Sequence, residues 1–278
     1  MKIYYHNDAD GRCSAAIVLA LHATPDCELI ECDYNKEIDL STIEVDEEII
    51  IVDFSFKPEV MYKLLEITLD VIWIDHHITT MSYDYNNDSI DGIRSIEYAA
   101  CELTWQYFMQ DDNPHNVPWA VKYIGDYDNW EFKYANETKQ FYEGLKMFDT
   151  SPQSELWVSL FNNENIVQIG DAGFYATTYR NKYCQDIRDA YSYETIFEGH
   201  RALCMNVYKF GSFAFGDKFN HYDMCISYIH DGSNYVVSLY SDGKINVSEV
   251  AKKYGGGGHV GAAGFVMGEL PFKKVDTI

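Results

Sequence analysis

Long apolar runs are missing from this sequence. No stretch approaches the roughly 18 apolar residues that a membrane-spanning helix needs. The opening residues Met1-Lys2-Ile3-Tyr4-Tyr5 pass into Asn and Asp without the apolar core or cleavage site of a secretion signal. No membrane partner is expected, and the expected location is cytoplasmic. Paired cysteines are missing too. Cys13, Cys27, Cys32, Cys101, Cys184, Cys204 and Cys225 contain no Cys-x-x-Cys pair, and their number is odd. That argues against a disulfide framework or a cysteine-type zinc site and leaves reduced core thiols. Positive charge is scarce: 21 Lys and Arg stand against 44 Asp and Glu, for a net charge of −23. Binding long DNA or RNA takes rows of cations on phosphates, so long nucleic acid is excluded as a partner. A small phosphorylated or nucleotide substrate stays open, provided that a divalent metal neutralises it locally.

What is present reads as two compact domains over 278 residues, 47% of them hydrophobic. Lys2–Tyr5 reads as a strand, His6-Asn7-Asp8-Ala9-Asp10-Gly11 as a polar turn, and Ser14–Ala23 as a helix. Leu29–Cys32, Glu48–Val52 and Asp70–Ile74 read as further strands, with a helix over Lys57–Thr68 that carries Pro58 in its first turn. Alternating strands and helices predict an α/β fold, a doubly wound parallel sheet. A loop with Asn86-Asn87-Asp88 follows, then helices near Glu97–Met109 and Val117–Gly125, and mostly helical segments from about Lys139 to Tyr193. From about Thr195 the pattern changes to strands over Arg201–Tyr208, Met224–Ile229 and Tyr235–Tyr240 and a helix over Asn246–Tyr254, a smaller α+β domain. The expected division is 1–140 for the first domain, 141–194 for a helical linker and 195–278 for the second domain.

Acidic and imidazole side chains gather where the strands run out. His6, Asp8 and Asp10 follow the first strand at i, i+2 and i+4, and would face one way if that segment stays extended. Asp53 ends another strand, Asp75-His76-His77 ends the run Val71-Ile72-Trp73-Ile74, and Asp126 and Asp128 close a helix–loop junction. A lone strand-end Asp is ordinarily a cap or turn residue. Their common location at the carboxyl edge of an open sheet, where such folds bind ligands, points instead to a site. Carboxylate with some imidazole and no thiolate suits Mn²⁺, Mg²⁺, Co²⁺ or Zn²⁺ in an oxygen-rich setting. The number of candidates fits two metals about 3.5–4 Å apart rather than one. A second signal is Gly255-Gly256-Gly257-Gly258-His259, which runs into Val260-Gly261-Ala262-Ala263-Gly264-Phe265. Four glycines let a backbone approach a ligand closely with free N–H groups. The alternative, a flexible linker, fits poorly with the packing-competent segment that follows.

His6–Gly11, Val52-Asp53-Phe54-Ser55, Asp75-His76-His77, Asp126-Tyr127-Asp128-Asn129-Trp130 and Gly255–Phe265 resemble, in order, the motifs of the DHH phosphoesterases with a C-terminal DHHA1 domain. The first and fourth of these look like the nanoRNase B-like branch, which degrades short oligoribonucleotides. The resemblance implies a centre of two Mn²⁺ ions, with Mg²⁺ or Co²⁺ as substitutes. His6, Asp8 and Asp53 would hold one ion, and Asp10, Asp53, His76 and Asp126 the other, with Asp53 bridging. Motif position favours Asp126 over Asp128. His77 would face the phosphate and Asp75 would orient a ligand histidine. Gly256, Gly257, Gly258 and His259 would bind the substrate. The family segment before the glycine run often carries an arginine where this chain reads Ser238-Leu239-Tyr240-Ser241, which puts the manner of substrate grip in question.

The expected activity is therefore hydrolysis of short oligonucleotides to mononucleotides by a metal-bridging hydroxide. The rivals are a cyclic dinucleotide phosphodiesterase, a 3′-phosphoadenosine 5′-phosphate phosphatase, or a non-catalytic nucleotide-binding protein. A short oligonucleotide or nucleotide is the expected partner, and a homodimer is compatible with this reading.

Overall fold

The computed structural model describes residues 1–22, 24–34, 36–83, 85, 90–110, 113 and 116–275. The expected loop at Asn86-Asn87-Asp88 and the expected helix end at Ala23 lie outside the described residues. The chain divides into two compact units, Met1–Ala176 and Thr177–Ile278.

In the first unit β1 (Lys2–His6), β2 (Glu28–Cys32), β3 (Ile49–Val52) and β4 (Val71–Ile74) form a parallel sheet in the order β2-β1-β3-β4. Helices cover both faces, as the sequence pattern led us to expect. Ile49 and Ile51 pack on one side with Met61 and Leu64 of α2 (Pro58–Ile67). Ile50 and Val52 pack on the other with Ala15 and Val18 of α1 (Ala9–Leu21) and Leu103 of α3 (Ala100–Met109). A strand sealed on both faces reads as a continuous apolar run because its alternating side chains both meet core. Each such Ile or Val contributes about 1.5–3 kcal/mol relative to leaving it in water.

A third core lies among α1, α3, α4 (Trp119–Asp128), α5 (Asn136–Leu145), α6 (Leu156–Phe161) and the start of α7 (Ile166–Tyr191), around Trp105, Ile124, Phe141 and Trp157. The turn out of β1 is tighter than expected. Asp8 caps α1 by accepting the Gly11 N–H at 2.9 Å. Gly11 lies so close to β1 that a Cβ there would stand 2.2 Å from the His6 carbonyl oxygen. The expectation that His6, Asp8 and Asp10 lie along one extended segment is thereby corrected: Asp10 is in the first turn of α1, because capping a helix end outweighs extending the strand.

The division between the units falls within α7, inside the stretch read as a helical linker. The second unit is a mixed sheet in the order β5-β6-β7-β8-β10-β9, made by β5 (Tyr193–Phe197), β6 (His200–Asn206), β7 (Met224–His230), β8 (Tyr235–Tyr240), β9 (Gly257–Gly258) and β10 (Ala262–Met267). β6 and β7 are parallel and the other neighbours antiparallel. One face packs on α8 (Val247–Lys252) through Val247, Val250 and Ala251. Phe215 of a 3₁₀ stretch (Gly211–His221) and Cys184 of α7 belong to a second cluster with Leu203 and Met205 of β6. All seven cysteines are free thiols. No helix among the described residues is long and apolar enough to cross a membrane.

Candidate metal centre

β1 and β3 are neighbours in the sheet but not in sequence, and their carboxyl ends flank the point where strand order reverses. Open α/β sheets bind ligands at such a point. β1 ends in His6. Asp53 follows β3 in a left-handed conformation (φ +52°), its N–H still donating to the Ile74 carbonyl at 3.0 Å. β4 ends at Ile74 and leads directly into Asp75, His76 and His77.

Asp53 is at the middle of what results. It is 1% exposed, and neither carboxylate oxygen accepts a hydrogen bond. Imidazole nitrogens surround it: His6 Nδ1 at 3.6 Å, His76 Nε2 at 3.3 Å and His77 Nδ1 at 3.8 Å. His6 Nδ1 also lies 2.7 Å from Asp8, while His76 Nε2 lies 3.5 Å from Asp10 and 3.3 Å from Asp128. Three sets of donor atoms each fall within 4.8 Å of one another: His6, Asp8 and Asp53; Asp53, His76 and His77; and Asp10, His76 and Asp128. Asp53 is common to two sets and so is His76.

Four carboxylates against three imidazoles leave a negative excess in a half-sealed space, and the acidities record it. Burial and the charge of Asp53 push Asp10 up to about 7. Burial and Asp10 push Asp128 up to about 7. Burial also raises Asp53. Asp53 and then Asp8 raise His6 to about 10. Burial works against charge on His76, but Asp53, Asp10 and Asp128 overcome it and raise the ring to about 10. Burial works against charge on Asp8 as well, yet His6 and the Gly11 N–H hold it down to about 2. A divalent cation would relieve this crowding and occupy the unbonded oxygens of Asp53, so the donors present fit a metal of the oxygen-preferring kind.

Asp75 does not face the cluster. It is fully buried; its Oδ1 accepts the His77 Nδ1–H at 2.7 Å and the His76 N–H at 2.8 Å. Its Oδ2 accepts the Thr80 hydroxyl at 2.8 Å and the Ser55 hydroxyl. This holds the ring of His77, not that of His76, and fixes the tautomer that leaves Nε2 of His77 free. Asp10 has a second task, because its oxygens accept the N–H groups of Ala100 and Cys101 at 2.9 and 2.7 Å and so cap α3.

A further sequence expectation changes. Asp126 is not with the cluster. Its carboxylate accepts the N–H groups of Lys133 and Tyr134 at 2.7 and 3.3 Å and the Thr138 hydroxyl, and so ties down the loop after α4. Asp128 takes the place expected of it. The two lie two residues apart on a helix, about 200° around its axis, so only one can face the site. Burial does not make this choice: Asp126 is among the buried residues of α4 with Val121 and Ile124, whereas Asp128 is exposed at the helix end beside His76. Three contributors went unread. Ser55 and Thr80 hold Asp75, and the exposed ring of Tyr34 lies 4.5 Å from Phe54 and 5.9 Å from His77 beside the centre.

The glycine motif belongs to the second unit. Gly257 and Gly258 pair with Gly264 and Ala263, and His259 and Ala262 close the turn with backbone bonds of 2.7 and 3.3 Å. Gly258 has φ +143°, and a Cβ on it would meet the Ala262 carbonyl oxygen at 2.6 Å, so glycine is required there by the hairpin itself. His259 is exposed.

Residues 1–125 match the model of the DHH family, N-terminal domain, and residues 217–274 match that of the DHHA1 domain. The chain belongs to the DHH phosphoesterases. As a DHH protein it is a hydrolase of phosphoester bonds. The uncharacterized protein R106 of Acanthamoeba polyphaga mimivirus is 26% identical over 306 residues, covering 99% of this chain and 70% of that protein. Among solved structures, the pGpG-specific phosphodiesterase PggH from Vibrio cholerae superposes with a TM-score of 0.60 at 13% identity, over 96% of this DHH chain and 93% of its own. RecJ from Thermus thermophilus, solved in complex with Mn²⁺, gives a TM-score of 0.46 at 13% identity, over 96% of this chain and 49% of its own. At such identities the likeness to PggH is one of fold.

Proposed function

We propose that this chain is a manganese-dependent phosphodiesterase that hydrolyses short oligonucleotides, dinucleotides above all, to mononucleotides. The observation that carries the reading is Asp53, a buried carboxylate with both oxygens unbonded among three imidazoles and three further carboxylates. His6, Asp8 and Asp53 would hold one ion, and Asp53, His76, Asp10 and Asp128 a second. Bound there, the pair would supply positive charge for a phosphoryl group and acidify a water molecule.

The protein's own part is positional. Asp75 holds the His77 ring through its Nδ1–H and, against burial, raises its pKa, so that the protonated ring can donate its Nε2–H to a phosphate oxygen as negative charge grows on it. Burial raises the pKa of Asp10 and of Asp128 to about 7, which makes either able to accept a proton near neutral pH when no cation is bound. In the second unit, His259 and the hairpin at Gly257 and Gly258 are the proposed contacts to a terminal phosphate, the Gly256 N–H being already given to the Ala251 carbonyl at 3.0 Å. The net charge of −23 disfavours long polyanions and favours a substrate with few phosphates. PggH, named for pGpG, supports a dinucleotide as the kind of substrate this scaffold accepts.

The test is product analysis. Purified protein with Mn²⁺ is given end-labelled pGpG, RNA of two to five nucleotides, a long RNA, cyclic dinucleotides and 3′-phosphoadenosine 5′-phosphate. Mononucleotides from the short linear substrates, with the long RNA intact, are expected. Hydrolysis of only the cyclic or the bisphosphate compound would transfer the reading to those activities, and inertness toward all of them would end it.

A further inference from the structure

The second unit carries a cavity of about 720 Å³ against β5 and β6, at the opposite edge of its sheet from the glycine hairpin. Four of the chain's 21 basic residues line it, Arg188, Arg201, Lys218 and Lys274, against two carboxylates, Asp189 and Glu194. A cationic excess in one concavity is unexpected for a chain in which acids outnumber bases two to one.

The cations are held in different ways. The Arg188 side chain is only 12% exposed, and its guanidinium is fixed by the Ala214 carbonyl at 3.2 Å and by Asp217 at 3.3 Å. It packs beneath Gly216, where a Cβ would stand 2.8 Å from Nη1, and its buried Nε–H has no hydrogen-bond partner. Arg201 forks onto Glu194 at 3.0–3.2 Å and lies over the Tyr222 ring at 4.7 Å, while the Tyr222 hydroxyl donates to the same carboxylate at 2.8 Å. Glu194 is therefore already neutralised. Lys218 and Lys274 are exposed, and neither has an ion-pair partner among the described residues. In a protein with this surplus of carboxylates, two lysines on one cavity with no ion-pair partner among the described residues are charge available to a ligand.

We propose that this cavity is a second anion site, separate from the metal centre, that takes a small ligand bearing two or more phosphates, of the size of a nucleoside triphosphate. Arg188, Lys218 and Lys274 bind the phosphates. Ile196, Leu203 and the edge of Tyr222 provide an apolar wall for the rest of the molecule. The volume lies within the range of small-molecule sites, roughly 300–1,000 Å³. Point-charge lysines beside a fixed guanidinium suit phosphate groups better than a single carboxylate.

Equilibrium dialysis of the full chain in EDTA, with ATP and with inorganic pyrophosphate as probes, tests this without contribution from bound metal. Saturable binding of one ATP per chain is expected, weakened at least about tenfold by Lys218→Glu with Lys274→Glu. Binding should be unchanged by Asp53→Asn and by His259→Ala. Both lysines are exposed, so the double variant should fold; Lys274→Ala, with a smaller loss of affinity, is the milder second variant, and matching circular dichroism melts control for folding. Pyrophosphate competing as well as ATP would assign recognition to the phosphates alone; weaker competition would assign a share to the apolar wall. Absence of saturable binding of either probe, binding that survives the double substitution, or binding lost in His259→Ala would overturn the proposal.

Discussion

Replacing Asp53 by Asn should change the protein's stability in opposite directions with and without metal. Burial raises the pKa of Asp53, an effect that His6 and His76 only partly offset. An acid raised in this way adds stability at pH values below its unfolded value of about 3.9, and that contribution is lost as pH rises through the folded value. At pH 7.5 without metal, the buried Asp53 carboxyl therefore costs stability, and Asn, isosteric and neutral, does not. Relieving the burial of a carboxyl that His6 and His76 only partly compensate gains on the order of 1–3 kcal/mol, since both imidazoles can shed their protons once Asp53 no longer raises them. For a chain of this size that amounts to about 2–4 °C per kcal/mol. Mn²⁺ should reverse the order. At a hundredfold excess over its dissociation constant it stabilises the parent by about 2.7 kcal/mol. The variant, without the carboxylate common to two donor sets, should gain little. Thermal melts in EDTA and in MnCl₂ measure both effects. A metal-free variant that melts below the metal-free parent, or one that keeps the full manganese shift, would refute the reasoning.

Asp126→Asn should lower stability by about 1–3 kcal/mol through the loop after α4, with the manganese shift kept. Asp128→Asn should weaken manganese binding about 10–100-fold, read by calorimetry. Equal metal affinities in the two variants would return Asp126 to the centre. Asp75→Asn should reduce kcat about 10–100-fold with a smaller change in KM, because His77 loses the acceptor that fixes its tautomer; an unchanged kcat would remove His77 from the chemistry. Glu102, raised to about 7 chiefly by burial, accepts the Ala99 N–H at 3.2 Å. Its contribution is present below its unfolded value and lost as pH rises through about 7, so Glu102→Gln should match the parent in melts at pH 5 and exceed it by about 1–3 kcal/mol at pH 8.

Where β3 and β4 lie was plain from Ile49-Ile50-Ile51-Val52 and Val71-Ile72-Trp73-Ile74, since buried parallel strands carry apolar residues on both faces. His6, Asp53 and His76 were placed by the strands that precede them. The turn after β1 was misread because extended spacing and helix capping draw on the same residues, and only the closeness of Gly11 to His6 decides between them. Asp126 and Asp128 could not be separated by the phase of α4, because Asp126 is the one among its buried residues and is held there by the loop that follows. Ser55 and Thr80 carry no pattern, since a hydroxyl that steadies a carboxylate can come from any nearby loop. The cationic cavity joins α7, β5, β6, the 3₁₀ stretch and the last residues of the sheet unit, and no local reading assembles side chains so far apart in sequence.

The two-sided sealing of β3 also sets where this protein can change length. One residue inserted between Ile49 and Val52 would exchange the sets facing α2 and α1 and carry Asp53 past the ends of β1 and β4. Insertions are tolerated instead between Cys32 and Ile49, or beyond His77 before α3, where most of the intervening chain lies outside the sheet. Those two segments leave the sheet beside the candidate metal centre, so variation in their length would alter what reaches it while leaving His6, Asp53 and His76 in place. New substrate preferences are thus expected to arise by loop exchange there, and that is where a designer should begin.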